Sequence, residues 1–367
     1  MRLDRVQRVM SREEVGGTLL FNPFNIRYVS GYKPVGVRGG SVVVLSQDRE
    51  PWLIVPQGEY EIARNRSWFH NIQAYRRYGP DETGKTLFDR LKEVVEQLKL
   101  QSVDLGVELN YIPAIRFEEL KRLLADAGFK NITPAITELR MIKDEAEIEK
   151  LQTATQIAEN GVRAAIEFIQ PNISEIEVAA EVERTIRRAG ATGTGFPTVI
   201  STGPRARDAY IPASRHEISP FEPVIISVSA IFDDYCSNIT RTVVTGKPNK
   251  KFIALFDCAR TAVSTTQNQL TPETLIRDVA LNIRRIADHH EFLPHLHDSM
   301  GNNIGLQPTE PPIIHVSNEK PLRPGMVFNI EAGLFKPNLG GVCLSNTIVY
   351  HKSGSFEILN QIPLETI

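Results

Sequence analysis

Apolar positions along the chain follow two different periods. Near its start, short runs at residues 18–21, 41–45, 51–55 and 103–107 are rich in Val, Ile and Leu and predict strands. Between them Leu87, Leu91, Val94, Val95 and Leu98 recur by threes and fours, which predicts a helix with one buried face. Phe117, Leu120, Leu123 and Leu124 predict another, with Gly128 as its C-terminal stop. This alternation describes a small α/β domain over residues 1–139, followed by a larger one over residues 140–367.

The second domain opens on a long helical pattern. Ile148, Leu151, Ala154, Ala158, Val162, Ala165 and Ile169 share one face, and Pro171 ends the run. Ser174 with Glu177 three residues on has the form of a capping box for the next helix. Thr271-Pro272-Glu273 predicts the start of a further one. Residues 224–246, VIISVSAIFDDYCSNITRTVVTG, place two β-branched runs around a polar segment and predict a hairpin, with Ser227 and Asn238 facing across it.

Composition narrows the class. A chain of 367 residues, 41% hydrophobic and 23% charged, has material for two cores. A formal net charge of -2 points to neither nucleic acid nor an anionic membrane surface as partner. The charged N-terminal segment MRLDRVQRVMSREEVGG has no signal-peptide core, and a cytoplasmic location is expected. Cys236, Cys258 and Cys343 are odd in number and widely spaced, which predicts free thiols rather than a disulfide framework.

The hairpin, the turn Gly301-Asn302-Asn303-Ile304-Gly305-Leu306 and the runs around Glu331 and Ser345 together carry a resemblance. With Thr240-Arg241-Thr242, Glu310-Pro311-Pro312 and Pro324-Gly325-Met326, the chain resembles the pita-bread family of creatinases, prolidases and aminopeptidases. The resemblance implies a creatinase-like N-terminal α/β domain and a C-terminal pita-bread domain. It also implies two metals held by two aspartates, a histidine and two glutamates. In this chain those positions read Ser227, Asn238, Asn302, Glu331 and Ser345, so one carboxylate remains. Neutral hydroxyls and amides are weak ligands for two dications, and neither a metal nor another cofactor is expected.

The expected chemistry is therefore a metal-independent, creatinase-like hydrolysis of a C–N bond in a small polar nitrogenous substrate. A lyase or rearrangement in a biosynthetic pathway, and a binding protein without turnover, are the alternatives. Glu331 is the expected general acid or base. Tyr210, in the loop after Ser201-Thr202-Gly203-Pro204, and Asp298, four residues before Asn302, are its expected companions. Ser227, Asn238, Asn302, Ser345 and Thr309 are expected to bind the substrate through hydrogen bonds.

The loop Tyr32-Lys33-Pro34-Val35-Gly36-Val37-Arg38-Gly39-Gly40 stands where creatinase-like proteins place a substrate-gripping arginine, and Arg38 among its glycines is expected to pair with a ligand carboxylate. The resemblance further implies a homodimer in which this loop reaches the partner's pocket. His289, His290, His295 and His297 lie close in sequence and lack the spacing that puts two imidazoles on one helical face. A surface cluster is expected there, with His297 near the site. The run Gly193-Thr194-Gly195-Phe196-Pro197 reads as a loop without a nucleotide-binding role.

Overall fold

The computed structural model describes residues 2–35, 40–76, 84–208 and 210–364. Arg38 lies outside them. The chain divides into two compact units, Met1–Arg140 and Met141–Ile367.

In the first unit the elements run α1 (Arg2–Arg12), β1 (Gly17–Leu20), α2 (Pro23–Ser30), β2 (Val42–Ser46), β3 (Trp52–Pro56), α3 (Tyr60–Arg66) and β4 (Asn71–Tyr75). They continue as α4 (Leu87–Gln97), β5 (Asp104–Val107), α5 (Ala114–Leu123), β6 (Gly128–Asn131) and α6 (Thr133–Met141). The strands form one mixed sheet in the order β4-β3-β2-β1-β5-β6. Helix α4 starts on a Thr86 capping box and buries Leu87, Leu91, Val94 and Val95 against it. The expected α/β alternation is present, with one correction. Gly128 does not stop α5 but opens β6, paired in parallel with Asp104. A Cβ there would lie 1.9 Å from an Asp104 oxygen, so the absence of a side chain serves strand approach rather than a helix cap.

The second unit begins with α7 (Glu145–Phe168), capped by Asp144 and Glu147, and α8 (Glu175–Arg188), capped by Ser174 and Glu177 as its sequence predicts. Next come β7 (Gly193–Thr194), β8 (Val199–Thr202), β9 (Pro223–Val228), β10 (Ala230–Phe232), β11 (Tyr235–Cys236) and β12 (Ile239–Val244). Helices α9 (Lys250–Asn268) and α10 (Ile276–His289) precede β13 (Asn302–Asn303), β14 (Glu310–Ile313), β15 (Val327–Lys336), β16 (Gly340–Tyr350) and β17 (Phe356–Ile358). Helix α10 starts later than expected: Thr271 and Thr274 form a polar turn, and Leu275 is the residue before the first helical position.

Two sheets carry the site, β12-β9-β8 and β14-β13-β15-β16-β17. Helices α7 and α8 pack on the first through Val162, Val182 and Ile186. Helices α9 and α10 pack on the second through Leu255, Phe256, Val279 and Ile283. The sheets are stitched together by threonines. Thr240 N donates to Ser345 Oγ at 2.9 Å, Thr242 Oγ1 to Cys343 O at 2.9 Å, and Thr347 Oγ1 to Asn238 O at 3.1 Å.

Between those threonines Arg241 is wholly buried. Its guanidinium donates to the carbonyls of Thr240, Ser345, Ile362 and Pro363 and to the side chain of Asn346. Burial pulls its pKa down to about 10, against the opposing charge of Glu159. Glu159 in turn accepts from the backbone of Gln361 and Ile362. The retained Thr-Arg-Thr triplet is thus the seam on which both sheets close.

Candidate functional site

Strands β15 and β16 pair antiparallel with Glu331 opposite Ser345. The β9–β12 hairpin forms as expected, but its register places Thr240, not Asn238, opposite Ser227. Asn238 lies just outside β12. The turn that presents Asn302 needs Gly301, whose φ is +127° and whose Cβ would come within 2.0 Å of the Asn329 carbonyl oxygen.

These elements surround a cleft of about 450 Å³. Phe196, Pro197, Val199 and Pro212 make one apolar wall. Ser227, Asn238, Ser299, Asn302 and Thr309 make the polar one, and Tyr210 and Glu331 complete it. Glu331 is 4% exposed, and Tyr210 donates its hydroxyl to Glu331 Oε1. Burial raises the Glu331 carboxyl to about 7, while the Tyr210 hydrogen bond pulls it down. Tyr210 is 48% exposed over the whole residue, yet its phenol end reaches into the cleft and is held above its usual value, first by loss of water there and then by the Glu331 charge. Cys343, buried close by, has its thiol pushed up by burial and then by Glu331.

The sequence-derived candidates separate on this geometry. Glu331, Tyr210, Ser227, Asn238, Asn302 and Thr309 share the cleft. Asn302 donates its amide to Asn303 O at 2.7 Å and Pro308 O at 3.0 Å, which leaves its carbonyl oxygen for a ligand. The Asn238 side chain is committed to no protein partner among the described residues, whereas Ser227 Oγ meets Thr240 Oγ1 at 2.8 Å. Ser345 is 0% exposed, and its hydroxyl accepts from Thr240 N, so it is a link between sheets rather than a ligand contact. Asp298 is exposed and does not line the cleft, which its neighbour Ser299 does.

His297 packs edge-on against Tyr210, ring centroids 5.5 Å apart, and edge-on against Phe335 at 5.9 Å. His289 and His290 contact each other instead. The sequence reading missed the apolar wall, although Phe196 and Pro197 close the run it set aside as a loop. It also missed Glu175, whose neighbours Ser174 and Glu177 drew attention to helix capping.

Among the described residues no three His, Cys, Asp or Glu side chains converge as metal donors. Ser227 and Ser345 have their hydroxyls engaged, Asn238 and Asn302 are neutral, and Glu331 stands as one carboxylate. Two dications need bridging anionic oxygens to offset their mutual repulsion. This donor set does not fit such a pair.

Residues 149–352 match the metallopeptidase family M24 and residues 2–142 the creatinase/prolidase N-terminal domain. The chain is 31% identical over 356 residues to the Xaa-Pro dipeptidase of Pyrococcus furiosus, covering 96% of each. It superposes on the prolidase of Pyrococcus horikoshii with a TM-score of 0.89 at 28% identity, over 100% of this chain and 99% of that one. An Xaa-Pro dipeptidase from Bacillus anthracis gives 0.90 at 26% identity, over 100% and 98%.

These relatives overturn the expected metal-independent, creatinase-like enzyme for a small nitrogenous substrate, together with its lyase and binding-protein alternatives. The expectation weighed the lost ligands above the frame, and the frame follows the dipeptidases over both domains. A hydrolase of the peptidase class, on a creatinase-type α/β domain and a pita-bread domain, replaces it. The chain belongs to the M24 metallopeptidase family.

Proposed function

We propose that the chain hydrolyses short peptides, with the Xaa-Pro amide bond as its substrate class. The observation that carries this reading is the Tyr210–Glu331 pair in a peptide-sized cleft, on a chain whose relatives are named Xaa-Pro dipeptidases. An amide nitrogen within a proline ring has no hydrogen to donate, so its side of the cleft needs apolar contact rather than an acceptor. Phe196, Pro197, Val199 and Pro212 supply that surface. The Asn238 amide and the Asn302 carbonyl oxygen offer the donors and acceptors that a peptide group requires.

Of the described residues that line the cleft, only Tyr210 and Glu331 ionise. With its pKa near 7, Glu331 can accept a proton from attacking water and return it to the departing nitrogen. The Tyr210 hydroxyl occupies one carboxylate oxygen and leaves the other for that transfer.

The reading extends to a homodimer in the cytoplasm, the first supported by the family resemblance and the second by composition. Among the described residues no helix is long and apolar enough to cross a membrane. The test is an assay of Xaa-Pro and proline-free dipeptides, each with and without added divalent cations. Proline release that vanishes in Glu331→Gln is expected. Absence of release under every condition overturns the reading, and sedimentation as a monomer removes the dimer.

A further inference from the structure

The loop that carries Tyr210 leaves β8 at Thr202 and returns at Ser214, and both of its ends are fastened to one carboxylate. Glu175, the first residue of α8, is 0% exposed. One of its oxygens accepts from Thr202 N at 3.0 Å and Arg205 Nε at 3.2 Å. The other accepts from Arg205 Nε at 3.0 Å, Ser214 N at 3.0 Å and Ser214 Oγ at 2.8 Å. Arg205 then donates from Nη2 to Pro212 O at 2.9 Å, drawing the two arms of the loop together.

Glu175 has the place of a helix-capping residue but not the bonds of one. Capping of α8 is done by Ser174 and Glu177, and every side-chain hydrogen bond of Glu175 goes to the loop. The amino end of the helix favours its negative charge. Between the two anchors Tyr210 holds φ at +58°, a conformation that bulky residues keep only when their surroundings impose it. His297 bounds the ring from one side, and Glu331 receives the hydroxyl.

We propose that Glu175 is a positioning residue of this site: by clamping both ends of the loop from Thr202 to Ser214, it holds the Tyr210 hydroxyl on Glu331. The proposal rests on the Tyr210–Glu331 pair being the working centre, and it adds a residue that touches neither substrate nor Glu331.

The test uses full-length protein labelled with 3-fluorotyrosine, the Tyr210 resonance being the one missing in Tyr210→Phe. In Glu175→Gln, which keeps shape and removes charge, that resonance moves toward the position of free fluorotyrosine while the others and the circular dichroism stay unchanged. For Xaa-Pro hydrolysis, kcat falls about tenfold or more with KM little changed, and Glu175→Gln adds nothing to Tyr210→Phe in the double variant, as for two groups acting as a unit. An unmoved resonance in folded Glu175→Gln, or losses that multiply in the double variant, overturns the proposal. If Glu175→Gln fails to fold, Ser214→Ala removes the hydroxyl bond to Glu175 while its backbone N–H bond stays, and this weakened anchor must move the Tyr210 resonance in the same direction by a smaller amount; no movement overturns it. Lack of peptide hydrolysis by the unaltered protein defeats the proposed reaction, while the fluorine signal still decides the role of Glu175.

Discussion

Tyr210 and Glu331 lie 121 residues apart in the chain and share a hydrogen bond. One comes from a loop whose backbone is in the left-handed region, the other from the middle of a ten-residue strand. The pair joins a phenol carried on a loop to a carboxyl carried on a paired strand.

Tyr210→Phe removes the hydrogen bond that lowers the Glu331 pKa, so the carboxyl rises further above about 7. The acidic limb of the kcat/KM profile is expected to move to higher pH. A hydrogen bond to a charged group contributes about 1.5–3 kcal/mol, so activity at neutral pH should fall roughly 10- to 100-fold. A profile that keeps its midpoint would show that the phenol does not tune the carboxyl.

Glu331→Gln should lower turnover by roughly 10²- to 10⁴-fold, the usual effect of losing one acid or base. Its effect on stability runs the other way. The folded carboxyl titrates near 7 against an ordinary value of 4.5, so folding favours the protonated form. That contribution is complete below pH 4.5 and is lost as pH climbs to 7, a change of about 3 kcal/mol. The amide variant carries no such dependence. Thermal melts should show Glu331→Gln close to the unaltered protein at pH 4.5 and more stable at pH 8.

Lys143 and Glu310 form a buried ion pair at 3.5 Å, their side chains 1% and 4% exposed. With its amide turned to suit both neighbours, Asn303 accepts from Lys143 at 2.7 Å and donates to Val327 O at 2.6 Å. Lys143→Met strips a buried carboxylate of its cation and should cost about 3–5 kcal/mol in urea unfolding. Adding Glu310→Gln should return part of that loss, since the uncompensated charge goes with it. An undiminished double-variant loss would mean that packing, not charge, is what Lys143 supplies.

Restoring the family's donor set should restore its chemistry. A chain carrying Ser227→Asp, Asn238→Asp, Asn302→His and Ser345→Glu is expected to bind divalent cations with measurable heat at a stoichiometry of up to two. Ser345→Glu must break the hydrogen bond from Thr240 N, so the gain should be smaller when that substitution is included alone. No binding by the fourfold variant would mean that the frame has shifted along with its ligands.

Much of this site was legible from the chain. The β-branched runs predicted the hairpin, and the turn before Ile304 and the strand around Glu331 located the cleft. What escaped depended on the third dimension. Asp298 has the right spacing from Asn302, but spacing along an irregular segment does not decide which way a side chain turns. Ser345 is polar and correctly placed on its strand, yet a neighbouring backbone amide claims it. Glu175 stood between two capping residues, and nothing in the helical period shows that its carboxylate reaches a loop nearly 40 positions away, at Ser214. Gly128 followed a helix and so looked like its end, when the strand beside Asp104 needed its missing side chain.

The buried guanidinium of Arg241 has a bearing on how the protein is made. A ribosome delivers Arg241 about a hundred residues before Ser345, and 121 before Ile362, whose carbonyls it requires. Until they arrive, the hairpin that bears Ser227 carries a cation with nowhere dry to go, and water keeps the seam open. The first unit can collapse while the second waits, so a nascent chain stalled short of Ile362 should display a folded first unit, residues 1–140, and a protease-sensitive remainder.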